Sequence, residues 1–364
     1  MASSITQLIG FGQSPWYDNL TRALATGGLR QLVDEHGIRG VTSNPTIFEK
    51  AMASGNDYDA QLREVTSSGA TARDAYWDLV TTDITHAVDL LRPHYETWEG
   101  HDGFVSVEVS PDLAHDTEGT IAQAKQLWAR IDRPNGMIKI PATEAGIPAI
   151  ARALDAGLNV NVTLIFSLTR YDEVAHAFLD GLERRAARGD DISRIASVAS
   201  FFVSRVDTET DRRLPEGHAL RGKAAVANAK LAYQRFLATF AGPRWDALAA
   251  RGGRVQRPLW ASTSTKNPAY SPTLYVDTMI GRDTVNTLAQ PSIDALEAGD
   301  TNLRADTVLE DLDDARATMS GLAAAGVDFD DVTATLEREG VSAFAASFQD
   351  AVSTLDKKAR ELSS

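Results

Sequence analysis

A lysine stands inside an apolar run in the segment GMIKIPAT, Gly136–Thr143, where Lys139 lies between Ile138 and Ile140 and Pro141 closes the run. Burial disfavours an ammonium ion and lowers a lysine's pKa, which produces the neutral amine that attacks a carbonyl and forms a Schiff base. The competing arrangement is a lysine that points outward, with its stem on apolar surface and its head in water or beside a carboxylate. Groups that could cooperate with a reactive amine lie in other β-rich runs. In FVSVEVSP, Phe104–Pro111, alternation puts Val105, Val107 and Val109 on one face and Ser106, Glu108 and Ser110 on the other. If that second face is interior, Glu108 is a carboxylate suited to relaying protons through water; if it is exterior, it is a solvated or ion-paired side chain.

Three further runs carry polar groups of the same kind. NVNVTLIFS, Asn159–Ser167, alternates Asn159, Asn161 and Thr163 against Val160, Val162 and Leu164, and Asn is disfavoured in strands unless it has work to do there. ASVASFFVSRVD, Ala196–Asp207, ends on Ser200, Phe202 and Arg205, whose guanidinium fork suits phosphate oxygens. LWASTSTKN, Leu259–Asn267, supplies Ser264 and Lys266 just past a strand. A fourth segment, GVTSNPTIFEKA, runs a strand into Asn44-Pro45; that step marks a turn and helix start, and it also leaves Asn44 at a strand end, where it could bond a substrate hydroxyl.

These groups need elements that converge. Short runs rich in Val, Ile and Thr alternate with longer stretches of helical period, the pattern of βα units around a parallel sheet. The runs predict strands near Ser14–Asn19, Arg39–Thr42, Gly103–Val109, Gly136–Pro141, Leu158–Ile165, Ile195–Phe202, Val255–Ala261 and Thr284–Leu288, with Tyr275–Ile280 competing for the last place. Between them Thr120–Arg130 reads as an amphipathic helix, with Ile121, Ala124, Lys125 and Trp128 at helical spacing. Eight strands separated by helices predict an α/β fold, a (β/α)8 TIM-type barrel with additional helices, against an open doubly wound sheet as the competitor. Residues 1–364 form a single domain in this reading, and residues 300–364 a helical C-terminal extension packed on the barrel. The role of the acidic run Glu310–Asp314 in that extension is left open between capping the barrel bottom and shaping a subunit contact.

Composition narrows the partners. Thirty-six Lys and Arg against 50 Asp and Glu give a formal charge of -14, which opposes nucleic acid and anionic membranes but not a small anion met by a few cations in one pocket. No cysteine is present, so disulfides, thiolate metal sites and a thiol nucleophile are excluded. No metal cluster, dinucleotide fingerprint or phosphate loop of Walker type is seen, and no cofactor is expected. The N-terminus lacks a basic leader with a long apolar run, so a cytoplasmic location is expected.

Taken in order, TSNPT, VSVEVS, IKIPAT, NVNVTLIFS, ASFFVSRVD and ASTSTKN resemble the transaldolase family, of the longer bacterial type, over most of residues 10–295. The resemblance implies a cofactor-free Schiff-base enzyme of the non-oxidative pentose phosphate pathway. It would move a dihydroxyacetone unit from sedoheptulose 7-phosphate to glyceraldehyde 3-phosphate, giving erythrose 4-phosphate and fructose 6-phosphate. By the same match Lys139 resembles the Schiff-base lysine, Glu108 and Thr163 the pair that holds a catalytic water, and Asp18 in WYDNLTR the acid/base for the C4 hydroxyl. Asn44, Asn161 and Ser200 resemble ligands of substrate hydroxyls, and Arg205, Ser264 and Lys266 the phosphate site, with lysine at 266 where a well-studied branch has arginine. Related fructose 6-phosphate aldolases tend to carry glutamine and tyrosine where this chain has Glu108 and Phe202, which favours transfer over release of free dihydroxyacetone. The expected partners are sugar phosphates, with neither nucleic acid nor membrane, and the expected assembly is a monomer or homodimer. A barrel that binds sugar phosphates without catalysis is the reading from another class.

Overall fold

The computed structural model describes residues 3–299 and 301–363. Residues 1, 2, 300 and 364, among them the ends assigned to the domain and to its extension, lie outside that part. Eight strands pair in parallel, each with its neighbours in sequence, and the eighth closes on the first. They are β1 (Gln13–Asp18), β2 (Gly40–Thr42), β3 (Phe104–Glu108), β4 (Gly136–Pro141), β5 (Val160–Ile165), β6 (Ser197–Phe202), β7 (Arg257–Ala261) and β8 (Thr284–Leu288). The fold is a closed (β/α)8 barrel, and the open doubly wound sheet is excluded. Tyr275 falls in a short helix, Leu274–Asp277, so the last strand is the Thr284 run.

Helix starts follow from local chemistry. Asn44 caps the helix Pro45–Ala53 by accepting from the Ile47 amide at 3.0 Å, with Pro45 in the first turn. Asp116 caps Thr117–Ile131 and Ser167 caps Leu168–Ala187 in the same way. The stretch after Gly222 divides into Ala224–Thr239 and Pro243–Ala249 at a Gly-Pro step.

Strand alternation decides what enters the lumen. Ser14, Trp16 and Asp18 share one face of β1, Gly40 and Thr42 one face of β2, and Arg257, Leu259 and Ala261 one face of β7. The lower lumen is closed by a buried cluster: Asp102 accepts from Ser14 Oγ at 2.6 Å, Trp16 Nε1 at 3.0 Å and Arg257 Nη2 at 3.1 Å, and Arg39 stands 3.7 Å away. Above it lies the Trp16 indole, which a Cβ on Gly40 would meet at 2.5 Å, so only glycine fits that position of β2. The upper lumen is left to the polar residues of the same faces.

The C-terminal segment divides between the two ends: Thr307 and Val308 bond to Ile280 just before β8, while the rest reaches the upper, site-bearing end. Its long helix, Phe329–Ser363, crosses beside the helices Pro45–Ala53, Ala72–Thr97 and Ser204–Arg213 and reaches the end of β5. There Leu164 takes a left-handed conformation at a break in register and packs where a Cβ on Gly340 would meet it at 2.9 Å. The acidic run contributes the carbonyl of Glu310, which accepts from Lys230 Nζ at 2.6 Å.

Candidate active site

Parallel register sets three side chains at one level of the lumen: Glu108 of β3 pairs with Lys139 of β4, and Lys139 with Asn161 of β5. All three are buried, Lys139 at 4% exposure. Lys139 Nζ lies 3.5 Å from Glu108 Oε2 and donates to the Ser43 carbonyl at 3.2 Å. The outward, solvated orientations of both residues are therefore excluded. Desolvation pushes the Glu108 carboxyl up to about 7 against the opposing pull of the Lys139 charge, with Asp18 adding to the rise. A carboxyl poised there exchanges protons readily near neutral pH.

Polar groups surround this pair in a connected set. Asn161 donates to Ser106 Oγ at 3.0 Å and accepts from Ser200 Oγ at 2.7 Å, which fixes its amide orientation. Asp18 accepts from Thr42 Oγ1 at 2.7 Å across β1 and β2. Two buried oxygens, Glu108 Oε2 and Thr163 Oγ1, have no hydrogen-bond partner within the described protein.

A cavity of about 320 Å³ opens above Lys139. Asp18, Asn44, Lys139, Ser200, Phe202, Arg205 and Lys266 line it, and Glu108, Asn161 and Thr163 sit in the strands around its floor. Four cations, Lys50, Lys139, Arg205 and Lys266, face one carboxylate, Asp18, so the pocket is locally cationic in an acidic protein. Arg205 makes no ion pair among the described residues; burial lowers its pKa, and its guanidinium lies 5.5 Å from the Phe202 ring centroid. Unpaired cations around a concave polar pocket are an anion site.

The family-specific description transaldolase/fructose-6-phosphate aldolase matches residues 15–355 of the chain. The chain belongs to that family. It is 52% identical over 346 residues to a protein named transaldolase from Saccharopolyspora erythraea, an alignment covering 94% of each chain. Over 351 residues it is 51% identical to one from Acidothermus cellulolyticus, covering 95% of this chain and 94% of the relative. A Thermobifida fusca protein of the same name is 49% identical over the full length of both.

Within this transaldolase/aldolase family member, two expected site residues stand differently from their sequence reading. Ser264 is not part of the cavity lining and instead shares a hydrogen bond of 2.8 Å with Ser292; Ser262 lines the cavity in its place. Ser262 has φ 58°, a left-handed turn straight after β7, which the segment's residue types do not announce. Asn44 lines the cavity, but its Oδ1 is spent on the helix cap, so its amide nitrogen is the group left to donate. The Asn-Pro step thus starts the helix and also leaves Asn44 in the cavity lining.

Other residues near the site were given no role in the sequence reading, although Ser106 was placed on the face of Glu108. Thr42, Ser43 and Ser106 bond to Asp18, Lys139 and Asn161, and lumen parity on β2 and β3 was the available signal for Thr42 and Ser106. Lys50 follows from the helix that Asn44 starts. Phe344 reaches the cavity from the C-terminal helix, with its ring centroid 6.0 Å from Lys139 Nζ. An apolar residue on an amphipathic helix some 200 positions away carries no local mark of that role.

Proposed function

We propose that this protein is a transaldolase that forms a Schiff base on Lys139 and moves a three-carbon dihydroxyacetone unit between sugar phosphates. The observation that carries the proposal is a buried amine 3.5 Å from a carboxylate of raised pKa, at the floor of a pocket with three further cations. The relatives named transaldolase, which match along nearly their whole length, support the same activity.

The Lys139 amine attacks C2 of a ketose phosphate to give a carbinolamine. Glu108 and Thr163, whose free oxygens face inward, hold the water that carries protons as the carbinolamine loses hydroxide as water and becomes an imine. Asp18 takes the C4-hydroxyl proton, the C3–C4 electron pair passes into the iminium to form an enamine, and the aldose phosphate leaves. An acceptor aldehyde then adds to the enamine with the proton returned, and water releases the new ketose. Asn44, Asn161 and Ser200 orient hydroxyls, while Arg205, Lys266 and the Ser262 turn receive the phosphate.

The substrates in this reading are sedoheptulose 7-phosphate and glyceraldehyde 3-phosphate, with erythrose 4-phosphate and fructose 6-phosphate as products, in the non-oxidative pentose phosphate pathway. The enzyme works without a cofactor, in the cytoplasm, as a monomer or homodimer. No helix among the described residues is long and apolar enough to cross a membrane. Borohydride reduction with fructose 6-phosphate, followed by peptide mass spectrometry, tests the chemistry. A three-carbon adduct on Lys139 is the expected result, and an unlabelled Lys139 in folded, substrate-binding protein overturns it.

A further inference from the structure

Beside the phosphate end of the site lies a second cavity, of about 350 Å³, whose lining includes Asp207, Asp211, Tyr270 and Tyr275 together with Arg212 and Arg221. Lys266 lines both cavities. It therefore borders both a site meant for a phosphate and a space with two carboxylates, and it makes no ion pair among the described residues. Two carboxylates beside a mobile lysine are ordinarily its partners. Here each carboxylate oxygen already has another donor.

All four carboxylate oxygens are occupied by uncharged donors. Asp211 accepts from Tyr270 Oη at 2.5 Å and from the Gly222 amide at 2.9 Å. Asp207 accepts from Tyr275 Oη at 2.7 Å and from the Ala225 amide at 2.8 Å. Gly222 is built for this contact: at φ +72° it takes a left-handed turn, and a Cβ there would meet the Tyr270 ring at 2.6 Å. Both acids ride on the helix Ser204–Arg213, whose first turn carries Arg205, and both tyrosines belong to the connection from β7 to β8 that carries Lys266. The two pairs thereby tie one phosphate-facing cation to the other.

We propose that Tyr270 and Asp211 are positioning residues: the phenol holds one carboxylate oxygen and pins the Lys266 connection to the Arg205 helix, so that Lys266 stays available to the substrate phosphate. This rests on the transaldolase reading for the identity of the substrate, and it concerns binding of the phosphate rather than the carbon chemistry. Removing the Tyr270 hydroxyl frees one Asp211 oxygen, which then competes with the phosphate for the ammonium.

Kinetics of wild type, Tyr270→Phe and the double variant Tyr270→Phe/Asp211→Asn test the pair, with fructose 6-phosphate as donor and either erythrose 4-phosphate or unphosphorylated glyceraldehyde as acceptor. Tyr270→Phe raises KM for erythrose 4-phosphate on the order of tenfold, the scale of one charge-assisted bond, with kcat nearly unchanged and KM for glyceraldehyde unmoved. The double variant, whose amide no longer attracts the lysine, restores KM. An unaltered KM in Tyr270→Phe, an equal rise for both acceptors, or no restoration in the double variant overturns the proposal. Calorimetric titration with inorganic phosphate gives an independent reading: if the wild type transfers no three-carbon unit, the function fails, while weaker phosphate binding in Tyr270→Phe restored by Asp211→Asn still upholds the pair, and equal binding overturns it.

Discussion

At the scale of the residue, the site works by placing opposite demands on two buried groups. Glu108 is kept from ionising early by desolvation, while the amine beside it keeps the cost of ionising within reach of neutral pH. Its replacement by Gln preserves size and removes the proton exchange. Glu108→Gln lowers kcat by roughly 100-fold or more and abolishes the inflection near pH 7 in the pH profile of kcat, measured by steady-state assay. Lys139→Ala eliminates borohydride labelling and activity while far-UV circular dichroism stays native; retained full activity in that variant rules out the Schiff base. Lys139 and Glu108 were legible as candidates because a charged residue inside an apolar β-run is costly, but their orientation was not. Only the closed register that brings β3 against β4 turns both inward.

At the scale of the element, two helices complete the site. The C-terminal helix brings Phe344 into the cavity lining, its ring centroid 6.0 Å from Lys139 Nζ. A covered enamine meets the acceptor aldehyde before it meets water. Phe344→Ala raises the release of free dihydroxyacetone from fructose 6-phosphate severalfold relative to transfer, as read by a donor-only assay beside the full reaction. On the helix Ser204–Arg213, burial lifts the Asp207 carboxyl to about 6 from an ordinary 3.8. A raised carboxyl pKa means that the folded state favours the proton, so this contribution to stability is present in full below the ordinary value and is lost as pH rises through about 6. The stability of Asp207→Asn relative to wild type accordingly improves between pH 4 and pH 8, by on the order of 2 kcal/mol, as followed by urea unfolding at the two pH values.

At the scale of the whole molecule, the barrel separates stability from chemistry. Its lower end is closed by Asp102 among Ser14, Trp16, Arg39 and Arg257, and its upper end by the cationic pocket. Asp102→Ala leaves two arginines without their carboxylate and costs about 3 kcal/mol in urea unfolding, while kcat of the folded enzyme is retained. The charge of the whole, -14, also says little about the pocket, where three cations remain after Lys139 is assigned to catalysis. Field at a site is set by the few groups nearest it.

By itself the sequence determined the alternation of strands and helices, the polar faces of β3, β5 and β6, and the types of group available for chemistry, because period-two burial and helix caps are local properties. Gly136–Pro141 and Thr284–Leu288 stand where their apolar runs place them. Tertiary structure decided whichever facts depend on closure or on distant chain. It turned Ser262 rather than Ser264 to the cavity through one left-handed residue, spent half of Asn44 on a cap, and carried Phe344 into the cavity lining. It also left Lys266 without an ion pair among the described residues, beside a cavity whose two carboxylates accept from two tyrosines. A strand's pattern tells which side chains share a face, but only the closed barrel tells what that face meets.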